Sequence, residues 1–357
     1  MADPALAQVR DTPAFEVRLD GARLEPETAL DVLDVEVCDY VEGPHTFAVT
    51  LNNWDSDRQE LKWFDDDLFR PGASVEIRGG YADRLERLVD GEITALEPDF
   101  PEAEAPILRL WGYDRLHRFR RGRRTRSFTR MKDSEIAGQV ARELGLTADV
   151  EDSGVIHEYV LQNNRSDIDF LLERARRIRY ELIIRDGTLF FRKAANDRAD
   201  VRSLLYGQTL RSFRPRLSTL GQVSELALRG WDPKTKEAIE ATATTGDAAP
   251  RMGSSELGAV TAENAFFAAR SAIVETPVFS SGEARQIAEA RFNDMAMRFL
   301  TGEALAVGDT AVRAGVVVEL TGLGSLFSGD YYVVASEHRI DPETGYTTRF
   351  SVERNAT

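Results

Sequence analysis

Between residues 14 and 114 the sequence alternates apolar and polar residues in short runs, each closed by a turn. Phe15, Val17 and Leu19 take every second position, as do Phe47, Val49 and Leu51, and Val75 with Ile77. Successive side chains of a strand point to opposite faces, so this spacing belongs to strands with one buried face. Asp20-Gly21, Gly43-Pro44, Pro71-Gly72, Gly79-Gly80 and Asp90-Gly91 supply the turns. Regularly spaced short strands of this kind build a barrel or a sandwich.

The texture then changes. Residues 118 to 130 hold seven arginines (Arg118, Arg120, Arg121, Arg123, Arg124, Arg126 and Arg130) and no acid. A helix follows, with Ser134 as its expected cap, Ile136, Ala137, Val140, Ala141 and Leu144 on one face, and Gly145 at its end. A second helix starts at Ser166, its expected cap, with Asp169 near the positive end of the helix dipole. Its apolar stripe is Ile168, Leu171, Leu172, Ala175 and Ile178. Residues 181–185 and 188–192 flank Asp186-Gly187, a strong hairpin signal.

Strand texture returns at 203–242, notably Val223–Pro233, and residues 243–282 are rich in Ala, Thr, Ser and Gly. That stretch reads as a long surface excursion or linker. A helix near 283–299 gathers Ala284, Ile287, Ala288, Phe292, Met295 and Phe299, and strands resume at 303–308, 316–320, 331–336 and 347–353. The predicted class is mainly β (α+β). Residues 1–118 form a first barrel completed by about 203–242, and residues 119–202 an inserted α/β domain. Residues 243–300 are the excursion and helix, and 301–357 the second barrel, with strands from the preceding region.

Composition narrows the function. The 357 residues include 45 basic and 60 acidic side chains, a net charge of −15, which argues against a protein that coats nucleic acid or anionic membrane. Removing the seven arginines of 118–130 from that −15 leaves −22 for the remainder, so the chain is polarised. Arginine forks in such a run suit carboxylates of the same or a neighbouring chain. Phe119 and Phe128 supply only weak interleaving for a nucleic-acid reading. Cys38 is the one cysteine and cannot form an intrachain disulfide. Residues 1–10 lack a basic region followed by an apolar one, so no signal peptide is predicted, and synthesis in the cytoplasm is expected. No apolar run reaches the ~18–20 residues of a membrane span.

A search for chemistry returns little. His45, His117, His157 and His338 are scattered, with no metal-ligand spacing, and no nucleophile elbow or phosphate loop is present. Gly322-Leu323-Gly324 lacks a third glycine and a following helix pattern, and reads as a turn. Asp65-Asp66-Asp67, Glu102 and Glu104 read as solvated acidic loops; the aspartate run lacks the spaced pattern of a calcium loop. No catalytic group, metal or cofactor is predicted.

Four segments, in order, resemble the late-control protein D family of phage tail hubs, whose fold also forms the N-terminal part of VgrG proteins and of contractile injection system hubs. Residues 162–191 carry Gln162, Asn164, Ser166, Asp167, Asp169 and Phe170 in the order Q-x-N-x-S-D-x-D-F-L, then a helix and hairpin. Residues 226–239 include Trp231, Asp232 and Pro233, and residues 315–354 include Gly329, Tyr331, Val333, His338 and a final Arg354. Residues 113–146 fit the joint between first barrel and insert. The resemblance implies two tube-like barrels per chain. It also implies a homotrimer presenting six barrels to a hexameric inner tube and threefold symmetry to a spike, among baseplate wedge components.

On this reading the matched positions are architectural: Ser166 a cap, the Trp231 indole packed, Asp232-Pro233 a turn, and His338 a core or interface histidine. The arginine run is a candidate interface belt. The chain stops where the second barrel ends, so the spike is expected on a separate polypeptide. Nucleic acid enters only as passing cargo, repelled by an acidic lumen, and no membrane is involved. Two alternatives stay open: a baseplate-associated glycan hydrolase using a carboxylate pair, and a carbohydrate-binding β module.

Overall fold

The structure, a computed structural model, describes residues 12–357 apart from 65–66, 83, 186, 195, 197–201 and 254–255. The reading of residues 1–10, the Asp65-Asp66 part of the aspartate run and Asp186 of the hairpin turn therefore lie outside the described residues.

The first unit runs through β1 (Pro13–Leu19), β2 (Ala22–Arg23), α1 (Pro26–Leu30), β3 (Val32–Tyr40) and β4 (Thr46–Asn52). A small ladder, β5 (Trp54–Asp55) with β6 (Glu60–Leu61), precedes β7 (Ser74–Tyr81), β8 (Arg84–Asp99) and β9 (Ile107–Asp114). A 3-10 helix at Arg115–Arg120 leads to β10 (Arg124–Lys132), α2 (Asp133–Glu143), β11 (Thr147–Val150), β12 (Ile156–Arg165), α3 (Asp167–Arg177), β13 (Tyr180–Arg185) and β14 (Thr188–Lys193). Then come β15 (Arg202–Leu205), β16 (Leu210–Leu217), β17 (Glu225–Asp232), β18 (Glu237–Thr244), α4 (Gly258–Ala265), β19 (Arg270–Ile273) and α5 (Ser281–Met297). The chain closes with β20 (Leu300–Val307), β21 (Val317–Thr321), α6 (Gly324–Phe327), β22 (Gly329–Asp341) and β23 (Gly345–Arg354).

The fold is mainly β, with two barrel domains, an inserted α/β domain and extra helices. The large sheet runs β16-β20-β23-β22-β3-β4-β9-β8-β7-β1-β2, with β21 on β22 and β15 on β21. One strand serves both barrels: the start of β22 pairs with β21 from Gly329 to Tyr332, and its end pairs with β3 from Ala335 to Ile340. The change of neighbour coincides with a bulge against β23 between Val333 and Ala335.

The period-2 residues fill the first core: Val17, Leu19, Val35, Val37, Phe47, Val49, Leu51, Val75 and Ile77 are buried together. The second core gathers Leu204, Leu210, Phe299, Leu300, Leu320, Tyr331, Val333, Phe350 and Val352. In the α/β unit the stripe Ile168, Leu171, Leu172, Ala175 and Ile178 packs on Ile136, Val140 and Phe191.

Several local expectations are corrected. Residues 203–217 do not complete the first barrel: β15 pairs with β21 and β16 with β20, because Leu204 and Leu210 belong to the second core. The next strands leave the large sheet altogether; β17 pairs with β18 and β19 and lays Leu226 and Leu228 on Ile287 and Phe292 of α5. The supposed excursion 243–282 thus holds α4 and an edge strand of its own. Its small residues allow close approach, since a Cβ on Gly258 would overlap the Phe299 ring. Helix α2 starts one residue before Ser134. Glu135 accepts the Lys132 N–H at 2.8 Å, while Ser134 is buried and exchanges hydrogen bonds with Ser153 at 3.0 and 3.2 Å. After Gly322-Leu323 the chain makes one helical turn, α6.

Gly112 on β9 illustrates how tightly the first barrel closes. A Cβ there would overlap both the Phe47 ring and the Glu92 carbonyl. Gly112→Ala is expected to lower stability by about 1–3 kcal/mol, read as a lower denaturation midpoint at unchanged m-value.

Candidate assembly surfaces and interdomain seams

The sequence-matched positions fall in separate places. At the start of α3, Ser166 Oγ accepts the Asp169 N–H at 3.1 Å and donates to the Asp169 carboxylate at 2.7 Å. Phe170 stacks on Phe128 with ring centroids 5.7 Å apart. Asp232 accepts the Lys234 N–H at 2.8 Å, a turn that leads through Pro233 into the β17–β18 hairpin. The Trp231 indole, expected to pack, is instead 59% exposed, at the turn end of that hairpin.

The terminal segment is the most enclosed. Arg354 is fully buried and donates to the carbonyls of Leu326, Ser328 and Ala356 at 3.0, 2.9 and 2.5 Å, its guanidinium 4.8 Å from the Tyr331 ring centre. Gly329 lies against that guanidinium with φ 131°, where a Cβ would crowd Nη1. Tyr331 donates its hydroxyl to the Phe327 carbonyl at 2.7 Å. His338 is completely buried beside the Tyr346 and Thr348 hydroxyls, at 3.0 and 3.2 Å, and burial pushes its pKa down to about 4. It is therefore neutral at physiological pH.

The arginine belt behaves as a seam within the chain. Arg118 donates to Glu92 on β8 at 2.7 Å, and Arg120 lies 3.5 Å from Asp169. Arg124 reaches Glu143 at 3.1 Å, and Arg126 joins Gln162 at 2.8 Å, Asp167 at 2.9 Å and Glu143. Arg123 donates to the Asn164 carbonyl at 3.3 Å. Arg121 and Arg130 form no ion pair among the described residues and stay exposed, although the Arg130 charge acts on Glu158. As an interface belt the run is thus largely spent on intrachain pairs, because β8, α2 and α3 bring carboxylates beside it.

Two buried clusters lock the units together. Asp39, wholly buried on β3, accepts from His45 Nδ1 at 2.6 Å and from Arg313 at 2.5 and 2.8 Å; Arg313 also donates to the Arg87 and Leu88 carbonyls at 3.2 and 2.6 Å. Arg313 precedes β21, so this contact joins the second barrel to the first. Burial would raise the Asp39 carboxyl, but Arg313 and His45 outweigh it and hold the group well below the usual range. Nearby Asp114 is pushed up to about 6 by burial. In the second cluster Asp133 accepts from Arg174 at 2.5 and 3.0 Å and contacts His157 at 3.1 Å, while Arg177 donates to Glu283 of α5 at 2.9 Å.

Sequence reasoning missed these carboxylates, although Asp39 carried a signal: it shares strand parity with buried Val35 and Val37. It missed a cavity too. About 490 Å³ lies among β3, α3, α5 and the β22–β23 pair, lined by Glu42, Arg176, Arg179, Asp294, Arg298, Tyr332 and Glu353. Glu353 sits opposite Tyr332, whose buried hydroxyl has no hydrogen-bond partner among the described residues. Burial pushes the Glu353 carboxyl up to about 7 and raises Asp294, against the pull of Arg179 and Arg298. Among the described residues no cluster of three or more metal-ligating side chains occurs, and no helix is long and apolar enough to cross a membrane.

The Asp39 pair yields one prediction. Asp39→Ala leaves the Arg313 charge without its carboxylate and should cost about 3–5 kcal/mol in chemical denaturation. A depressed carboxyl contributes stability above its unfolded value near 3.8 and loses it as pH falls, so the variant's deficit should shrink in acid. Glu353 has the opposite sign. Its contribution is present below 4.5 and lost as pH rises towards 7, so Glu353→Gln should gain stability relative to the parent across that window, measured by denaturation at stepped pH.

The model of the family described as the Alg8 N-terminal domain matches residues 9–342. No curated protein matches the sequence. Among solved structures, the 43 kDa tail protein of prophage MuSo2 from Shewanella oneidensis aligns with a TM-score of 0.72 at 14% identity, covering 96% of this chain and 98% of that one. The tail protein from Neisseria meningitidis MC58 gives 0.68 at 12% identity, covering 96% and 97%. The E. coli c3393 protein, a component of the type VI secretion system, gives 0.58 at 10%, covering 95% and 77%. At these identities the likeness is one of fold.

Proposed function

From the fold it shares with phage tail and type VI secretion proteins, we propose that this chain, which belongs to the Alg8 N-terminal domain family, is a structural, non-enzymatic hub of a contractile tail or tail-like injection machine. In this role three copies form a ring that joins a hexameric inner tube to a trimeric spike, within a baseplate that also holds wedge components. The late-control protein D motifs quoted above support the same reading.

The observation that carries it is the sharing of β22 between two barrels, which fixes both in one rigid chain. Two barrels per chain and three chains give six similar units around one axis. Such a ring meets a sixfold partner on one face while keeping true threefold symmetry for the other. Large shared surfaces, rather than one enclosed constellation, would carry the binding.

A second reading, glycan hydrolysis, is favoured only by the cavity holding Glu353 and Asp294. A raised carboxyl suits a general acid, but burial raises both groups together and so provides no contrasting ionised partner. Co-expression with candidate tube and spike proteins, followed by native mass spectrometry, tests the hub. A complex containing three copies of this chain is expected; a chain that stays monomeric with both partners present overturns it. Incubation with peptidoglycan should show no turnover, and turnover abolished by Glu353→Gln would establish the second reading instead.

A further inference from the structure

Strand β16 ends the large sheet. It pairs with β20 along one edge and with no strand along the other among the described residues. Its inward residues include Phe213, which meets Tyr331 edge-on at 5.4 Å, and Pro215, which removes one backbone donor from the ladder. Arg211, Arg214 and Arg216 are exposed, and none forms an ion pair among the described residues, although Glu303 of β20 stands opposite Arg214. Just beyond the strand, Leu220 is 86% exposed.

Charge and proline on an edge strand are common protection against unwanted pairing. The same chain, however, also carries a surface of opposite character. The end of β8 and the loop to β9 present Asp99, Glu102 and Glu104, all exposed and without an ion pair among the described residues. Phe100 in that loop is 55% exposed and lies 6.0 Å, edge-on, from the exposed ring of Phe64. One surface is cationic with an apolar flank, the other anionic with an aromatic one. In a chain of net charge −15, an outward arginine strand is the kind of patch to which an acidic, aromatic tip is steered.

We propose that the β16 arginine strand of one subunit is the docking surface for the acidic β8–β9 tip of a second copy of this chain. The contact is heterologous, since two different patches meet, and repeated head to tail it closes a ring of three when each step turns the chain by a third of a revolution. It rests on the hub reading for the number of copies. Guanidinium forks of Arg214 and Arg216 engage Glu102 and Glu104, and Phe100 lies against the apolar flank at Leu220.

Charge reversal tests it. The full chain, Arg214→Glu/Arg216→Glu, Glu102→Arg/Glu104→Arg and the fourfold combination are compared by sedimentation with the tube and spike proteins present, after each unfolding midpoint is matched to the parent. Each double variant should self-associate at least tenfold more weakly, the fourfold variant should recover, and parental association should weaken with added salt. Double variants that assemble as the parent does would overturn the docking surface while leaving the trimer intact. Failure of the fourfold variant to recover, with a parental unfolding midpoint, would overturn the pairing. A parent that never self-associates would remove the hub reading and this contact together.

Discussion

The structure depends on one strand with two sets of neighbours. Hydrogen bonds from β22 run to β21 at its start and to β3 at its end, so neither barrel is complete without it. A linker between barrels would leave their relative placement to a small interface. Here the placement is set by backbone ladders, and the Asp39–Arg313 pair adds a charge-assisted contact beside the junction. Buried pairs of this kind add little net stability compared with apolar packing, but they penalise any arrangement that separates the partners.

The inserted units are held by the same means. Arginines of the 118–130 run reach carboxylates on β8, α2 and α3, and the Asp133–Arg174 and Glu283–Arg177 pairs tie the α/β unit to α5. The charge polarity visible in the composition is thus mostly consumed inside the chain. Among the charges left outside are the basic residues of β16 and the acidic ones of the β8–β9 tip.

Local patterns in the sequence translated well where one element decides its own burial. The alternation of Val17, Leu19, Phe47, Val49 and Leu51 placed the first core, and the stripe from Ile168 to Ile178 placed the inner face of α3. Pairing partners were less legible. Whether β15 joins the first or the second barrel depends on Val318 lying opposite Arg202, a contact between residues far apart in the chain that leaves no local trace. Trp231 misled for a related reason: its motif marks a turn, but whether the indole is covered depends on which distant segments pack on the hairpin. Asp39 and Arg354 were readable in principle, since both occupy the buried parity of their strands. A charged residue at such a position announces a partner without naming it.

The bulge between Val333 and Ala335 has a consequence for how such a chain can vary. Side-chain parity in a strand inverts with every residue gained or lost. On either side of the bulge, β22 pairs with a different barrel, so an added residue there would reverse the side-chain parity of one part of the strand while sparing the other. Surface loops tolerate added residues far better than this point does. The angle between the two barrels is therefore inherited as a count of residues, and it is among the last things this architecture could alter.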